Sequence, residues 1–199
     1  MRCFLVLLFL LCSTAFAQGT TYFLGIRQSK YGYVGVQPFR HWGVRYDNSL
    51  FSQSVEYQYG RLALFYSFDT PFNMRGTYSF FYGMRYNQDY YDWGGELNCT
   101  LALHPKYFRI NGILQPKYDS DIKEMVGYSV SLQTLPLQEV GLLMGFRNLP
   151  DFRDVERRAF VGMIFETERL KVVPEVSTPI ATKMESTRVA ISFVYRNGI

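Results

Sequence analysis

The chain has 199 residues, of which 48% are hydrophobic and 18% aromatic, and its formal net charge is +4 at pH 7. This length suits one domain. The positive residues are scattered singly and form no basic stripe, which argues against a nucleic-acid-binding surface. Beyond the N-terminal residues, no apolar run is long enough for a transmembrane helix.

The first residues have the three parts of a secretory signal peptide. Arg2 supplies the positive charge, Phe4 to Leu11 form the apolar run, and residues 15–17 (AFA) have the small-x-small pattern of a cleavage site. The apolar run is too short to cross a bilayer as a helix. We therefore expect a cleaved signal peptide at 1–17 and a single exported β-barrel domain at 18–199.

Most of the remaining chain has the pattern of amphipathic β-strands. In order, the predicted strands are 20–28, 33–46, 51–59, 61–69, 74–87, 93–104, 107–118, 124–134, 138–148, 158–167, 170–176 and 187–196. The segment 74–87 shows the pattern most clearly. Successive strand side chains point to opposite faces. One face of this segment is therefore mostly apolar and aromatic, and the other carries Arg75, Thr77, Ser79, Phe81, Gly83, Arg85 and Asn87.

The strand count depends on a few positions. The apolar parity reverses at Gly60 and again near Glu168-Arg169, where either a turn or a β-bulge would produce the reversal. The count is twelve if both are turns and ten if both are bulges. It would be eight if Pro38 and Pro174 marked segments outside the sheet. Each count is even, which would place both termini at the same end.

The connections between predicted strands differ in length and charge. Short turns with a proline occur around Pro71, Pro105 and Pro136, and longer polar connections occur at 88–92, 119–123, 149–157 and 177–186. Strands of about ten residues with short turns at one end and longer loops at the other are typical of outer-membrane barrels. We therefore predict an all-β fold, an antiparallel up-and-down transmembrane β-barrel of ten to twelve strands.

A soluble barrel is the alternative that this pattern leaves open. A secreted, lipocalin-like barrel would turn the apolar face inward to bind an apolar ligand and would need no detergent. Its wet outer face would usually carry more Lys and Glu. The polar face of the predicted strands is instead rich in Gly, Ser, Thr, Asn and Arg, which favours the membrane barrel.

The chain resembles the small outer-membrane β-barrels, broadly of the OmpX and OmpW kind. The resemblance rests on the signal peptide, on amphipathic strands over nearly all of 20–196, and on a last strand with Phe193 and Tyr195 at alternate positions. It is architectural and involves no family motif. It implies a bacterial outer-membrane location in the cell envelope and partners in the outer-membrane lipid and the barrel-assembly machinery. The chain ends after Tyr195 with Arg196-Asn197-Gly198-Ile199, whereas this class typically ends on an aromatic residue.

The residues offer little for catalysis or metal binding. The Asp-x-His pair of omptin-type proteases is absent. Neither His41 nor His104 begins the His-x-Ser pattern of PagL-type deacylases. Two histidines and Cys99 are too few for a strong metal site. We therefore predict no enzyme activity, no cofactor and no metal.

The charged residues on the polar parity are the candidate functional set. Those expected to face the lumen are Arg75, Arg85, Arg109, Arg147, Glu56, Glu96 and Glu166. In a small barrel such charges should form Arg–carboxylate networks that fill the interior, since unpaired buried charges are costly. In a wider barrel they could line a water-filled path that favours anions.

The loop 149–157 is the candidate outward contact surface, or equally a cap that pairs with itself. Its candidate contact residues are Phe152, Arg153, Asp154 and Arg157. The sequence therefore predicts a porin-like outer-membrane protein with a structural or narrow-pore role. The identity of the small solute or surface partner stays open.

Overall fold

The strands form one antiparallel sheet that closes into a twelve-stranded barrel. The computed structural model describes residues 20–28, 30–50, 57–104, 108–134, 139–148, 157–180 and 187–197. The strands are β1 (Thr21–Arg27), β2 (Tyr31–Gln37), β3 (Trp42–Ser49), β4 (Tyr59–Asp69), β5 (Met74–Arg85), β6 (Tyr91–His104), β7 (Phe108–Asp119), β8 (Lys123–Thr134), β9 (Val140–Asn148), β10 (Arg158–Glu166), β11 (Leu170–Pro179) and β12 (Arg188–Asn197). Each pairs with its neighbours in sequence, and β1 pairs with β12. The antiparallel closed barrel is confirmed.

The smaller strand counts of eight and ten were wrong. The parity reversal near Glu168-Arg169 is a tight turn at 167–169, closed by a hydrogen bond of 2.7 Å from the Thr167 amide to the Leu170 carbonyl. Pro174 lies inside β11, opposite Ile191 of β12, and does not interrupt the sheet.

Two predicted strand limits also changed. The predicted strand 33–46 is divided between β2 and β3 by the connection 38–41, which begins with Pro38. Pro cannot donate to a ladder, so the strand ends before it. Most of the predicted strand 51–59 lies outside the described residues, and its last residue, Tyr59, begins β4.

The two ends of the barrel have different connections. Tyr22 pairs with Asn197, so both termini lie at one end, which we call the termini end. The strands at this end are joined by 38–41, 70–73, 105–107, 135–139 and 167–169. At the other end, which we call the loop end, they are joined by 28–30, 50–58, 86–90, 120–122, 149–157 and 180–187. Most of the longer connections therefore lie at the loop end, as predicted.

The outward face of the strands is apolar and rich in aromatic residues. Exposed outward side chains include Leu62, Leu64, Phe80, Tyr82, Trp93, Leu114, Val130, Met144, Val161 and Ile191. Glu124 is the one charged residue on this face among the described strand residues. Burying such a surface in water-free lipid is favourable, whereas leaving a patch of this extent in water is costly. The predicted alternation is therefore present, with its apolar side facing out.

Aromatic side chains lie outside near both ends of the barrel. Toward the loop end, the Trp93 and Tyr118 rings stack with centroids 5.9 Å apart. Toward the termini end, Trp42 meets Tyr66 edge to face at 5.0 Å. Rings with an apolar body and a polar tip are typical of membrane interfaces. No helix among the described residues is long and apolar enough to cross a membrane.

Several inward rings lie over glycines of the neighbouring strand. A Cβ added to Gly35 would clash with the ring of Phe23, and one added to Gly43 would clash with the ring of Phe65. These two rings also meet each other edge to face, with centroids 5.7 Å apart. Because glycine has no side chain, these positions leave room for the aromatic rings to lie against the wall of the barrel.

Candidate pore lining

The interior carries more cations than acids. By strand register, the inward basic residues are Arg27, Arg45, Arg61, Arg75, Arg85, Arg109, Lys117, Lys123, Arg147, Arg158, Lys171, Arg188 and Arg196. The inward acids are Asp47, Asp69, Asp92, Glu96, Asp119, Glu166 and Glu175. Both sets refer to the described strands. A cationic interior with low-dielectric walls attracts anions and repels cations.

A buried network joins β4, β6 and β7 near the loop end. Lys117 Nζ donates to Asp92 Oδ2 at 3.2 Å and to Asp119 Oδ2 at 3.4 Å. The Tyr59 hydroxyl donates to Asp92 Oδ1 at 2.5 Å, and the Tyr90 hydroxyl donates to Asp119 Oδ2 at 2.6 Å. All five side chains are buried. The lysine therefore forms ion pairs with two carboxylates that directly oppose each other across β6 and β7 and offsets part of their combined negative charge.

The same network fixes the adjacent connections. Asp119 Oδ1 accepts the backbone amides of Asp121 and Ile122 at 2.9 and 3.1 Å, which holds the β7–β8 turn. Tyr90 lies in the connection before β6 and is almost fully buried. Burial raises the pKa of the Tyr90 phenol, and the neighbouring Asp92 and Asp119 raise it further. Tyr90 therefore stays protonated and able to donate its hydrogen bond.

A second group of contacts lies on the five strands from β3 to β7. Asp47 Oδ2 accepts hydrogen bonds from Arg45 Nε at 3.2 Å and from Arg61 Nε at 3.1 Å. The Arg61 guanidinium also lies over the Phe81 ring, 4.7 Å from its centroid. Gln115 Nε2 donates to Glu96 Oε2 at 2.9 Å. These contacts hold the side chains on one wall of the interior.

A third group occupies the opposite wall. Arg147 forms a bidentate ion pair with Glu175 of β11, and its guanidinium lies 4.5 Å from the centroid of the Phe160 ring. Arg158, opposite Arg147 in register, donates to the Ser177 hydroxyl at 3.3 Å and to the Ser177 carbonyl at 3.1 Å. A buried apolar cluster lies on the same wall and consists of Leu143, Phe160, Ile164 and Val173.

A fourth group lies near the termini end and is more accessible to water. Arg109 Nη1 lies 3.3 Å from Glu166 Oε2, and each side chain is 32% exposed. Lys171 Nζ lies 3.7 Å from the same oxygen. This group therefore lines the interior without being sealed from solvent.

The predicted lumen residues lie in different surroundings. Arg109, Arg147, Glu96 and Glu166 face inward with the partners described above. Arg85 faces inward, lies over the Tyr90 ring and pairs with Asp89 at 3.4 Å. Arg75 lies at the termini-end rim, where its side chain is 85% exposed and pairs with Asp69 at 3.2 Å.

The remaining candidate residues belong to the loop-end connections. Glu56, Phe152, Arg153 and Asp154 lie outside the described residues. Arg157 is exposed, directly before β10.

The sequence reading missed the buried network around Lys117. The two acidic residues of this network fall in the predicted polar connections 88–92 and 119–123. In the structure, Asp92 lies in β6 and Asp119 ends β7. Extending the alternation into these segments places both carboxylates on the inward parity with Lys117. This shared parity is the feature of the sequence that could have predicted the network.

No cluster of three or more His, Cys, Asp or Glu side chains within the described ranges could hold a metal ion. No protein-family model matches the chain. No curated protein matches its sequence either.

The barrel is similar in fold to two solved structures of the KdgM porin. One is described as the KdgM porin in complex with disordered oligogalacturonate, with a TM-score of 0.61 and 10% identity. The other is the KdgM porin, with a TM-score of 0.59 and 9% identity. Each comparison covers 89% of this chain and 98% of the porin chain. At this identity the likeness concerns the fold, which is that of a porin-like β-barrel.

Proposed function

We propose that this protein is an outer-membrane β-barrel with a narrow pore that favours small anionic solutes. The observation that carries the proposal is the polarity of the barrel wall, with an apolar, aromatic outside and a cation-rich inside. In this proposal residues 1–17 are a signal peptide, and 18–199 is the mature domain in the bacterial outer membrane. Outer-membrane lipid contacts the apolar face, and the barrel-assembly machinery inserts the protein.

The orientation of the faces opposes the lipocalin-like alternative. A soluble barrel for an apolar ligand needs its apolar face inside. Here Leu62 and Leu64 point outward and are 55% and 49% exposed, while Arg61 and Ala63, which alternate with them, point inward and are buried. The interior is therefore suited to polar solutes.

The charge of the interior supports the choice of anions. Cationic residues outnumber acids among the inward positions, and the pair Arg109–Glu166 remains partly exposed. A fold relative has been solved with oligogalacturonate, which is an acidic sugar polymer. Small carboxylated sugars are therefore suitable first test solutes for this pore.

A closed barrel with a structural role is the second candidate. The observation that favours it is the dense packing of the loop-end interior, where Asp47, Arg61, Lys117 and Asp119 are all nearly fully buried. Such a plugged interior is the arrangement expected of a small barrel of the OmpX or OmpW kind. In that case the loops at 149–157 and elsewhere would contact a surface partner.

Two measurements test these candidates, the first the barrel that they share and the second the pore that separates them. Fractionation with detergent extraction and gel mobility before and after boiling tests the outer-membrane barrel, which should be extracted only with detergent and should change mobility on boiling. Release of solutes from liposomes then tests the pore. We expect faster release of glucuronate than of glucosamine, which has a similar size and the opposite charge. A closed barrel would release neither above the rate of empty liposomes.

The apolar outside can be tested with one substitution. Leu64→Arg places a charge on the outward face in the middle of β4 and should cost roughly 2–4 kcal/mol in a bilayer. Leu64→Ile is the matched control and should behave like the wild type. The measurement is the fraction folded in lipid vesicles over a urea gradient. Equal stability of the Arg and Ile variants would show that Leu64 does not contact lipid.

A further inference from the structure

The ion pair between Arg109 and Glu166 joins two strands that are not neighbours. Arg109 is on β7 and Glu166 on β10, with β8 and β9 between them. Since adjacent strands lie about 4.8 Å apart, the path along the wall between β7 and β10 is about 14 Å. A direct contact of 3.3 Å therefore requires both side chains to extend into the interior. The pair crosses part of the lumen.

The position of this pair is at the termini-end mouth. Arg109 is the second residue of β7, and Glu166 is the last residue of β10. Lys171, second in β11, approaches the same Glu166 carboxylate at 3.7 Å. Arg196, also inward, is two residues beyond Val194, which is opposite Lys171 in register. The Glu166 carboxylate thus lies beside two cations, Arg109 and Lys171, with the inward Arg196 on the strand next to that of Lys171. The backbone amide of Glu166 donates to the backbone carbonyl of Glu139 in the adjacent connection at 2.9 Å.

Two other ion-pair groups of the interior are much less exposed than this one. Arg147 and Glu175 also skip a strand, but their side chains are only 11% and 5% exposed. Lys117 and its two carboxylates are at most 6% exposed. The 32% exposure of both Arg109 and Glu166 indicates that water reaches this bridge. In the proposed pore, a charged group at this mouth would lie in the path of a permeating solute.

We infer that the Arg109–Glu166 bridge, with Lys171, is the selectivity-determining constriction at the termini-end mouth. This inference rests on the proposed pore. Glu166 neutralises part of the local positive charge and holds Arg109 across the opening. The bridge therefore limits both the width of the mouth and its preference for anions. The solutes that this constriction admits are small anions that can pass the guanidinium of Arg109 and the ammonium of Lys171, whose charge Glu166 partly neutralises.

Substitutions at the two ends of the bridge should shift selectivity in opposite directions. Glu166→Gln leaves Arg109 and Lys171 without the carboxylate, so anion preference should rise and single-channel conductance should increase roughly twofold or more. Arg109→Gln leaves the carboxylate with one fewer cation, so anion preference should fall. The exchange Arg109→Glu with Glu166→Arg restores the pair and should return both properties toward those of the wild type.

Glu124→Gln is the matched control. It makes the same change as Glu166→Gln at the one charged residue among the described strand residues that faces outward, near the loop end. Its substitution should leave conductance and selectivity unchanged. If Glu166→Gln and Arg109→Gln behave like this control in a conducting barrel, the inference is overturned while the pore stands. If neither the wild type nor the variants conduct, the pore and the selectivity role both fail.

The bridge itself can be tested without conductance. The double variant Arg109→Cys with Glu166→Cys, made in a Cys99→Ser background, is treated with a bis-methanethiosulfonate reagent long enough to replace the two removed side chains and the contact between them. A cross-link between β7 and β10 should form and slow the loss of the folded band on heating. Single-cysteine variants should give no such change. Absence of a cross-link in the folded double variant would overturn the cross-lumen geometry and, with it, the proposed constriction.

Discussion

Replacing Lys117 with methionine should lower the free energy of unfolding by roughly 3–5 kcal/mol. Lys117 is buried between the carboxylates of Asp92 and Asp119, at 3.2 and 3.4 Å. The methionine has a similar length but no charge, so two opposed carboxylates would remain buried without their cation. The expected result is a clear fall in the temperature at which the folded gel band is lost.

Two further variants test whether charge is the cause. Lys123→Met removes a lysine of the next strand that is exposed and opposite Asp119 in register. This control should have little effect, since exposed charges contribute little to stability. Adding Asp92→Asn to Lys117→Met removes one of the two uncompensated charges and should recover part of the loss. An equal melting temperature for Lys117→Met and Lys123→Met would contradict the role of the network.

The second large effect is expected for Gly35→Val. The Phe23 ring occupies the space next to Gly35, so any side chain there must displace the ring. The free direction is into the interior, because the wall itself is the paired backbone of β1, β2 and β3. We expect a fall in single-channel conductance together with a stability loss of about 1–3 kcal/mol from overpacking.

The controls for this prediction separate ring displacement from a general effect of valine. Gly112 lies on the outward face of β7, and a Cβ there would meet nothing within 4 Å. Gly112→Val should therefore leave conductance unchanged. Phe23→Ala combined with Gly35→Val removes the displaced ring and should restore conductance. If Gly35→Val conducts like the wild type, the ring does not enter the path of the solute.

The faces of the strands could be predicted because lipid and a polar interior impose the same two-residue period on every strand. The segment predicted at 74–87 is β5 at 74–85, and Ser79 and Phe81 face inward as their parity required. The same argument failed at 33–46, where a continuous run of strand-forming residues hid the connection at Pro38. The connection has only four residues and therefore no long polar segment that would mark it in the sequence. Pro38 was the main indication that a strand ends there.

The partners of the charged residues could not be predicted from the alternation. Arg109 and Glu166 are 57 residues apart in sequence, and their contact depends on the strand number, tilt and register of the whole barrel. Lys117 likewise has partners on two strands, Asp92 on β6 and Asp119 on its own strand β7. In the sequence, both acidic residues lie in polar segments whose composition is that of solvated loops. Parity indicates which side chains enter the interior, but closure of the barrel determines which of them meet.

The most direct test of the proposed function is the reversal potential of the wild-type protein in a planar bilayer. The refolded mature chain would be inserted between solutions of different KCl concentration, and the zero-current voltage would be measured. The cation-rich interior predicts stable conductance with a reversal potential of the sign that marks chloride preference over potassium. Potassium preference would contradict the anion pore. No conductance from folded, heat-modifiable protein would favour the closed structural barrel.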